Sequence, residues 1–167
     1  MNYTSAQASK LLSKLQQEYN GLDMWEENSK TFLASVGEDV ESARPEYDYE
    51  KMREQFSAIE NKIRKVKHAI NIFNTTTFIS EFNMTVDEML VYLPQLSRRK
   101  AKLTEMATTL PKARYRSGER SNIIDYKYAN YDIDKVKEDL EKITEELSKA
   151  QLALDLVNHT KVFCVDI

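Results

Sequence analysis

The most regular pattern of apolar positions in the chain runs from Tyr49 to Phe73. Alternating steps of four and three separate its apolar residues, which are Met52, Phe56, Ile59, Ile63, Val66, Ile70 and Phe73. This heptad repeat places a narrow apolar stripe on one side of an α-helix. The pattern therefore predicts a long helix that packs through this stripe against other helices.

Two later segments repeat the same rhythm, and an earlier one has a looser helical spacing. The later stripes are Met89, Leu93, Leu96, Leu103 and Leu110, and then Ile133, Val136, Leu140, Ile143, Leu147, Ala150, Leu154 and Val157. Thr4 or Ser5 can cap the first helix, and Thr85 with Glu88 fits a capping box at the third. The predicted fold class is all-α, a long antiparallel coiled-coil or helical bundle.

The chain of 167 residues is expected to form a single helical domain. Its predicted parts are an N-terminal helix over residues 1–36, an acidic linker over 37–48, a heptad helical core over 49–160, and an apolar tail over 161–167. The tail is strand-like and is expected to dock on another surface, with another subunit as one option. The narrow apolar seams also predict a homo-oligomer.

A short β-like excursion interrupts the helices after Phe73. Phe78, Phe82 and Met84 fall on one parity within a stretch rich in β-branched and aromatic residues. This stretch predicts a short strand or an extended turn. A second short strand is predicted around residues 123–128, after a basic turn, and we expect the two strands to pair.

Composition narrows the classes of function. The formal net charge of −3 argues against an extended nucleic-acid partner, and the single cysteine excludes an internal disulfide. No apolar run approaches the roughly 20 residues of a spanning helix, and the first residues lack the basic and apolar regions of a signal peptide. We therefore expect a cytoplasmic protein with no membrane partner.

The strongest local signal is positive charge between Arg98 and Arg120. This stretch holds eight basic and two acidic residues, and tyrosines occur in it and just beyond it, at positions 115, 126, 128 and 131. An arginine fork can hold a phosphate through two hydrogen bonds, and a tyrosine ring can stack on a base. Two interpretations fit: a site for a nucleotide-like anion, or a solvated basic face that pairs with acidic helices of a neighbour.

A polar cluster lies near the end of the second helix, at Asn71, Asn74 and the three threonines that follow. These residues fit helix termination, and they also fit the polar rim of a ligand pocket. Sequences typical of catalysis are missing: His68 and His159 have no nearby ligand partners, and the chain has no glycine-rich phosphate loop. The sequence therefore predicts a protein that is not an enzyme and uses no metal or cofactor.

The order of these motifs resembles the septicolysin-like family of small helical proteins of bacteria and their phages. The resemblance rests on Ile70-Asn71 followed by Asn74, a Thr-capped helix, the Arg114-Tyr115-Arg116-Ser117 turn, and a last helix that ends in Gln151 and Asn158. It covers roughly residues 49–160. The family name implies a membrane-active cytolysin, which we keep as a third function.

The leading prediction is a non-enzymatic, oligomeric protein that binds an anionic small molecule, first of all a nucleotide, and that in a phage would sequester a nucleotide signal. The alternative is a helical scaffold for protein interactions. The predicted ligand-binding residues are Arg98, Arg99, Lys102, Arg114, Tyr115, Arg116, Arg120, Tyr126, Tyr128, Asn71 and Asn74.

Overall fold

The computed structural model describes residues 1–115 and 125–167, which form two compact units. The first unit contains Met1–Thr76 and Val157–Ile167, and the second contains Thr77–Leu156. The described helices are α1 (Ser5–Ser29), α2 (Val40–Ala43), α3 (Tyr49–Thr76), α4 (Val86–Ala107) and α5 (Ile133–Thr160). The described residues are therefore mostly helical, as the sequence predicted, while coiled-coil packing stays a prediction.

Short strands form three two-stranded antiparallel sheets in the described residues. The strands are β1 (Asn2–Thr4), β2 (Phe78–Ile79), β3 (Met84–Thr85), β4 (Lys112–Tyr115), β5 (Asp125–Tyr128) and β6 (Val162–Cys164). β1 pairs with β6, β2 with β3, and β4 with β5. No helix in the described parts is long and apolar enough to cross a membrane.

The first unit is built on the antiparallel packing of α1 and α3. Leu15 shares a buried cluster with Val66, whereas Glu26 near the end of α1 pairs with Arg53 near the start of α3. The heptad stripe of α3 provides the buried side chains of this helix, namely Met52, Phe56, Val66 and Phe73. The stripe that predicted the helix is thus the side through which it packs.

Both predicted threonine caps are present as capping boxes. The Gln7 backbone N–H donates to Thr4 Oγ1 at 3.3 Å, and the Thr4 N–H donates to the Gln7 side chain at 3.0 Å. At α4 the Glu88 N–H donates to Thr85 Oγ1 at 3.2 Å, and the Thr85 N–H donates to the Glu88 carboxylate at 2.7 Å. Each box satisfies two backbone donors at a helix start.

The N-terminal helix is shorter than the predicted range of 1–36. A strand precedes it, and α1 ends at Ser29. Leu33 is 96% exposed and Val36 is exposed as well, so neither apolar residue packs against the rest of the unit. Tertiary burial supplies most of the stability of a helix in a protein, which explains why α1 stops here. The predicted linker over 37–48 contains the short helix α2.

The C-terminal tail docks within its own unit, as the strand β6 alongside β1. The register pairs Asn2 with Cys164 and Tyr3 with Phe163, and the Val165 N–H donates to the Met1 carbonyl at 2.9 Å. Val165 is fully buried against Leu15 and Val66. The predicted docking surface for the tail is therefore its own unit, whose core takes Val165.

The excursion after α3 forms a small hairpin of its own. Phe78 pairs with Thr85 and Ile79 with Met84, and Asn83 takes a positive φ of 53° in the turn, a conformation that asparagine tolerates better than most residues. The predicted pairing of this stretch with residues 123–128 was therefore wrong. Closing a short loop costs less chain entropy than joining distant segments, which favours the pairing of β2 with β3 and of β4 with β5. Residues 123–124 lie outside the described residues.

In the second unit, α4 and α5 bury part of the stripes that the sequence identified, whereas Leu110 lies beyond the end of α4 and is 64% exposed. Val86, Met89 and Leu96 are buried on α4, and Val136, Leu147, Ala150 and Leu154 are buried on α5. The Tyr92 hydroxyl donates to the Glu146 carboxylate and so ties the two helices together. The strands β4 and β5 lie between these helices in the chain.

Candidate functional site

The hairpin β4–β5 carries the tyrosines and part of the basic stretch that the sequence singled out. Its register pairs Lys112 with Tyr128 and Arg114 with Tyr126. Residues directly opposite each other in an antiparallel pair share a face, and so do residues two apart along a strand. The hairpin therefore brings Lys112, Arg114, Tyr126 and Tyr128 together on one face, which we call the cationic–aromatic face.

Side-chain contacts on the cationic–aromatic face are close. Lys112 Nζ lies 4.1 Å from the ring centroid of Tyr126 and 5.4 Å from that of Tyr128. The two ring centroids are 6.5 Å apart. A cation near the face of an aromatic ring is attracted by the ring quadrupole. The lysine thus holds its charge beside the two rings, although it was not among the predicted binding residues.

Exposure and charge both favour binding on this face. Tyr126 is 48% exposed and Tyr128 is 59% exposed, so their rings remain open to a ligand. Within the described residues, neither Lys112 nor Arg114 makes an ion pair with a carboxylate. An anion that approached this face would meet two cationic groups and two aromatic rings.

The opposite face of the hairpin has a different character. Tyr115 pairs with Asp125, and Ala113 pairs with Lys127. This face carries one acid and one base, so its formal charge cancels. The structure thus separates Tyr115 from Arg114 and Tyr126, which the sequence had grouped with it. The predicted binding residues Arg116 and Arg120 lie outside the described residues.

The predicted residues Arg98, Arg99 and Lys102 lie on α4 and are exposed. Positions 98 and 102 are four apart, so their side chains project from one side of the helix. The hydrogen bond to Glu146 raises the pKa of Tyr92, and the charge of Arg99 opposes this rise. No hydrogen bond or ion pair of the described residues joins these three cations to the cationic–aromatic face.

Asn71 and Asn74 belong to the first unit, on the last turns of α3. The hydroxyl of Thr75 donates to the Asn71 carbonyl at 2.9 Å, and that of Thr76 donates to the Ile72 carbonyl at 2.7 Å. These bonds support helix termination as the role of the threonines. Asn71 also lines a groove between α1 and α3 with a volume of about 590 Å³.

Sequence reasoning missed this groove. A signal for it was present, since polar residues recur at helical spacing on both α1 and α3 beside the apolar stripes. Lys112 was likewise missed as a partner of the tyrosines, although it alternates with Arg114 in the sequence. In the part of the chain that the structure describes, no group of three or more histidine, cysteine or acidic side chains is placed to hold a metal ion.

Comparisons with known proteins show a fold and leave the activity open. No family model and no curated protein matches the chain. Among solved structures, the chain is similar to a functionally unknown conserved protein from Corynebacterium diphtheriae. The match has a TM-score of 0.62 and 16% sequence identity, and it covers 98% of this chain and 100% of that one. This likeness concerns the fold alone, and the septicolysin-like resemblance stays a prediction.

Proposed function

We propose that the protein is a non-enzymatic binding protein that holds a small planar anion, first of all a nucleotide, on the cationic–aromatic face. The observation that carries this proposal is the convergence of Lys112, Arg114, Tyr126 and Tyr128 on one side of the hairpin. Two charges for a phosphate and two rings for a base are the groups that such a ligand needs.

The chemistry of each side chain suggests its role. The Arg114 guanidinium can donate two parallel hydrogen bonds to one phosphate group, a geometry that lysine cannot offer. Lys112 adds a point charge beside the rings. Base–aromatic stacking contributes about 1–3 kcal/mol per base, and a hydrogen bond to a charged group contributes about 1.5–3 kcal/mol. Together these interactions favour reversible binding.

We extend the proposal to a homo-oligomer that sequesters a nucleotide signal in the cytoplasm. Leu152 and Leu156, four residues apart on α5, are 68% and 64% exposed. A second copy of the chain would remove these side chains from water, which favours association. Binding without turnover then lowers the free concentration of the ligand.

The matched charge variants Arg114→Gln and Lys127→Gln test the proposal, because each removes one positive charge from an opposite face of the same hairpin. Melting temperatures are measured with ATP, GTP, CTP, UTP and 3′,5′-cyclic AMP, since a ligand that binds only the native state raises the melting temperature. We expect at least one nucleotide to stabilise the wild type and Lys127→Gln, and to stabilise Arg114→Gln much less. No shift with any nucleotide, or equal shifts in both variants, would contradict the proposal.

A protein-interaction scaffold is the second candidate, favoured by the same exposed pair, Leu152 and Leu156. A scaffold would capture one protein partner through α5 and would not need the hairpin. Pull-down with Leu156→Asp and Arg114→Gln distinguishes the two functions. Loss of a partner in Leu156→Asp only, together with the absence of nucleotide binding, would favour the scaffold.

A further inference from the structure

The groove between α1 and α3 lies wholly in the first unit and is a candidate binding site of its own. Its volume of about 590 Å³ falls within the range of roughly 300–1,000 Å³ that small-molecule sites occupy. One wall comes from α3, with Arg64, Lys67 and Asn71, and the other comes from α1, with Gln16 and Asn20. These side chains are exposed, so their polar groups are free to contact a ligand.

Helical spacing explains how the sequence builds the two walls. Residues 64, 67 and 71 are three and four positions apart on α3, and residues 16 and 20 are four apart on α1. Such residues lie above one another on a helix surface. The walls are therefore aligned by regular helices rather than by loops, which favours a defined binding geometry.

The floor of the groove is formed by side chains that contact the buried core of the first unit. Tyr19 and Ile63 are half-buried in it, and the Tyr19 ring meets the Phe56 ring edge-on with centroids 5.1 Å apart. Ile63 packs against the cluster of Leu15, Val66 and Val165. The walls thus stand on buried side chains, and the floor offers apolar surface to the carbon skeleton of a ligand.

Positive charge in the groove is only partly offset by carboxylates of the protein. Neither Arg64 nor Lys67 makes an ion pair with a carboxylate in the described ranges, whereas the neighbouring Lys65 pairs with Asp166 at 3.7 Å. Glu60 is the single carboxylate on the lining, so two cations face one anion there. A phosphate bound between Arg64 and Lys67 would relieve their mutual repulsion and accept their hydrogen bonds.

Neutral amides indicate what the rest of the ligand contains. Gln16, Asn20 and Asn71 each offer an N–H donor pair and a carbonyl acceptor, and no protein hydrogen bond engages these side chains in the described residues. Hydroxyl groups both donate and accept, so they match such amides. We propose that this groove binds a small phosphorylated molecule rich in hydroxyl groups, of the chemical class of sugar phosphates, independently of the hairpin.

The test is a titration of the isotope-labelled full chain with ribose 5-phosphate, followed by backbone amide shifts in NMR spectra. We expect shifts at residues 16–20 and 60–71, and about tenfold or greater loss of affinity in Arg64→Gln/Lys67→Gln, because two charge-assisted hydrogen bonds are lost. Lys62→Gln is the control for loss of a charge on the same helix, since Lys62 does not line the groove. It should bind like the wild type.

Two further arms make the outcome unambiguous. Unphosphorylated ribose should bind far more weakly than ribose 5-phosphate, and Arg114→Gln on the hairpin should leave the groove titration unchanged. Absence of shifts in the groove, or equal affinity in Arg64→Gln/Lys67→Gln and the wild type, would overturn the inference. Shifts confined to residues 112–115 and 125–128 would overturn it as well, while leaving the hairpin proposal standing.

Discussion

Two small sheets of the protein, β1–β6 and β4–β5, are both antiparallel, but the first packs against a core and the second is exposed to solvent. In the terminal sheet β1–β6, the ring centroids of Phe163 and Phe73 are 4.7 Å apart. Val165, two residues after Phe163, is fully buried. In the hairpin β4–β5, all but one of the eight residues are exposed. An isolated pair of strands is marginally stable in water, so the two sheets are held by different interactions.

This difference indicates that the two sheets have different roles. The terminal sheet closes the first unit, because it joins both ends of the chain and delivers Val165 to the core. The hairpin delivers two cations and two rings to solvent, where they contribute little to burial. Residues that are exposed, charged and aromatic fit binding better than packing.

The largest expected difference between the two sheets is in the loss of stability when one aromatic ring is removed from each. We expect Phe163→Ala to lower the free energy of unfolding by about 2–4 kcal/mol, since it removes a half-buried ring from the core. Tyr126→Ala should lower it by less than about 1 kcal/mol, because it loses only surface contacts. Urea unfolding followed by circular dichroism measures both. Equal losses of stability would show that the two sheets do not differ in this way.

A smaller effect is expected where the hairpin is anchored. The Tyr131 hydroxyl donates to the Met106 carbonyl at the end of α4 at 3.0 Å, and the Ala129 N–H donates to the Pro111 carbonyl at 3.1 Å. Tyr131→Phe removes one partly buried hydrogen bond and should cost about 1 kcal/mol of stability. Thermal unfolding measures this cost, with Tyr128→Phe as the control. A larger loss in Tyr128→Phe would mean that the exposed Tyr128 hydroxyl, rather than the Tyr131 anchor, supports the hairpin.

The smallest expected effect concerns the two capping boxes at strand-to-helix junctions. Hydrogen bonds from the Thr85 backbone N–H and hydroxyl hold the pKa of Glu88 below its ordinary value of 4.5. A lowered folded-state pKa gives stability that is present above the unfolded pKa and is lost as the pH falls through the folded pKa. We therefore expect Glu88→Gln to weaken the dependence of the melting temperature on pH below about 4.5.

The box at α1 provides the control for this prediction. Gln7 takes the position that Glu88 takes at α4 and does not titrate. Gln7→Glu should therefore add pH dependence in the same acidic range. An unchanged pH profile in both variants would show that the boxes do not couple to protonation.

Much of the helical structure could be predicted because local patterns decide it. The heptads of α3 and α5 and the caps at Thr4 and Thr85 depend on residues close in sequence. The end of α1 could not be predicted, because Leu33 is apolar yet meets no partner. The pairing of β1 with β6 was also missed, since it joins opposite ends of the chain and no local signal reports it.

The candidate site was predicted in composition but not in arrangement. The basic and aromatic residue types were evident, and alternation within each strand was readable. Whether Tyr126 shares a face with Arg114 or with Tyr115 depends on the register between β4 and β5, and a shift of one residue would exchange the two. Register is set by pairing across the hairpin, so the placement of Tyr126 with Arg114 rather than with Tyr115 needed the structure.

The most direct test of the central claim is isothermal titration calorimetry. The nucleotide that gives the largest shift in melting temperature is titrated into the wild type, into Tyr126→Ala and into Tyr115→Ala. Both variants remove one tyrosine from the same hairpin, but from opposite faces. The account predicts that Tyr115→Ala binds like the wild type and that Tyr126→Ala binds about tenfold or more weakly, from the loss of stacking. Equal affinity in all three proteins, or a loss in Tyr115→Ala alone, would contradict it.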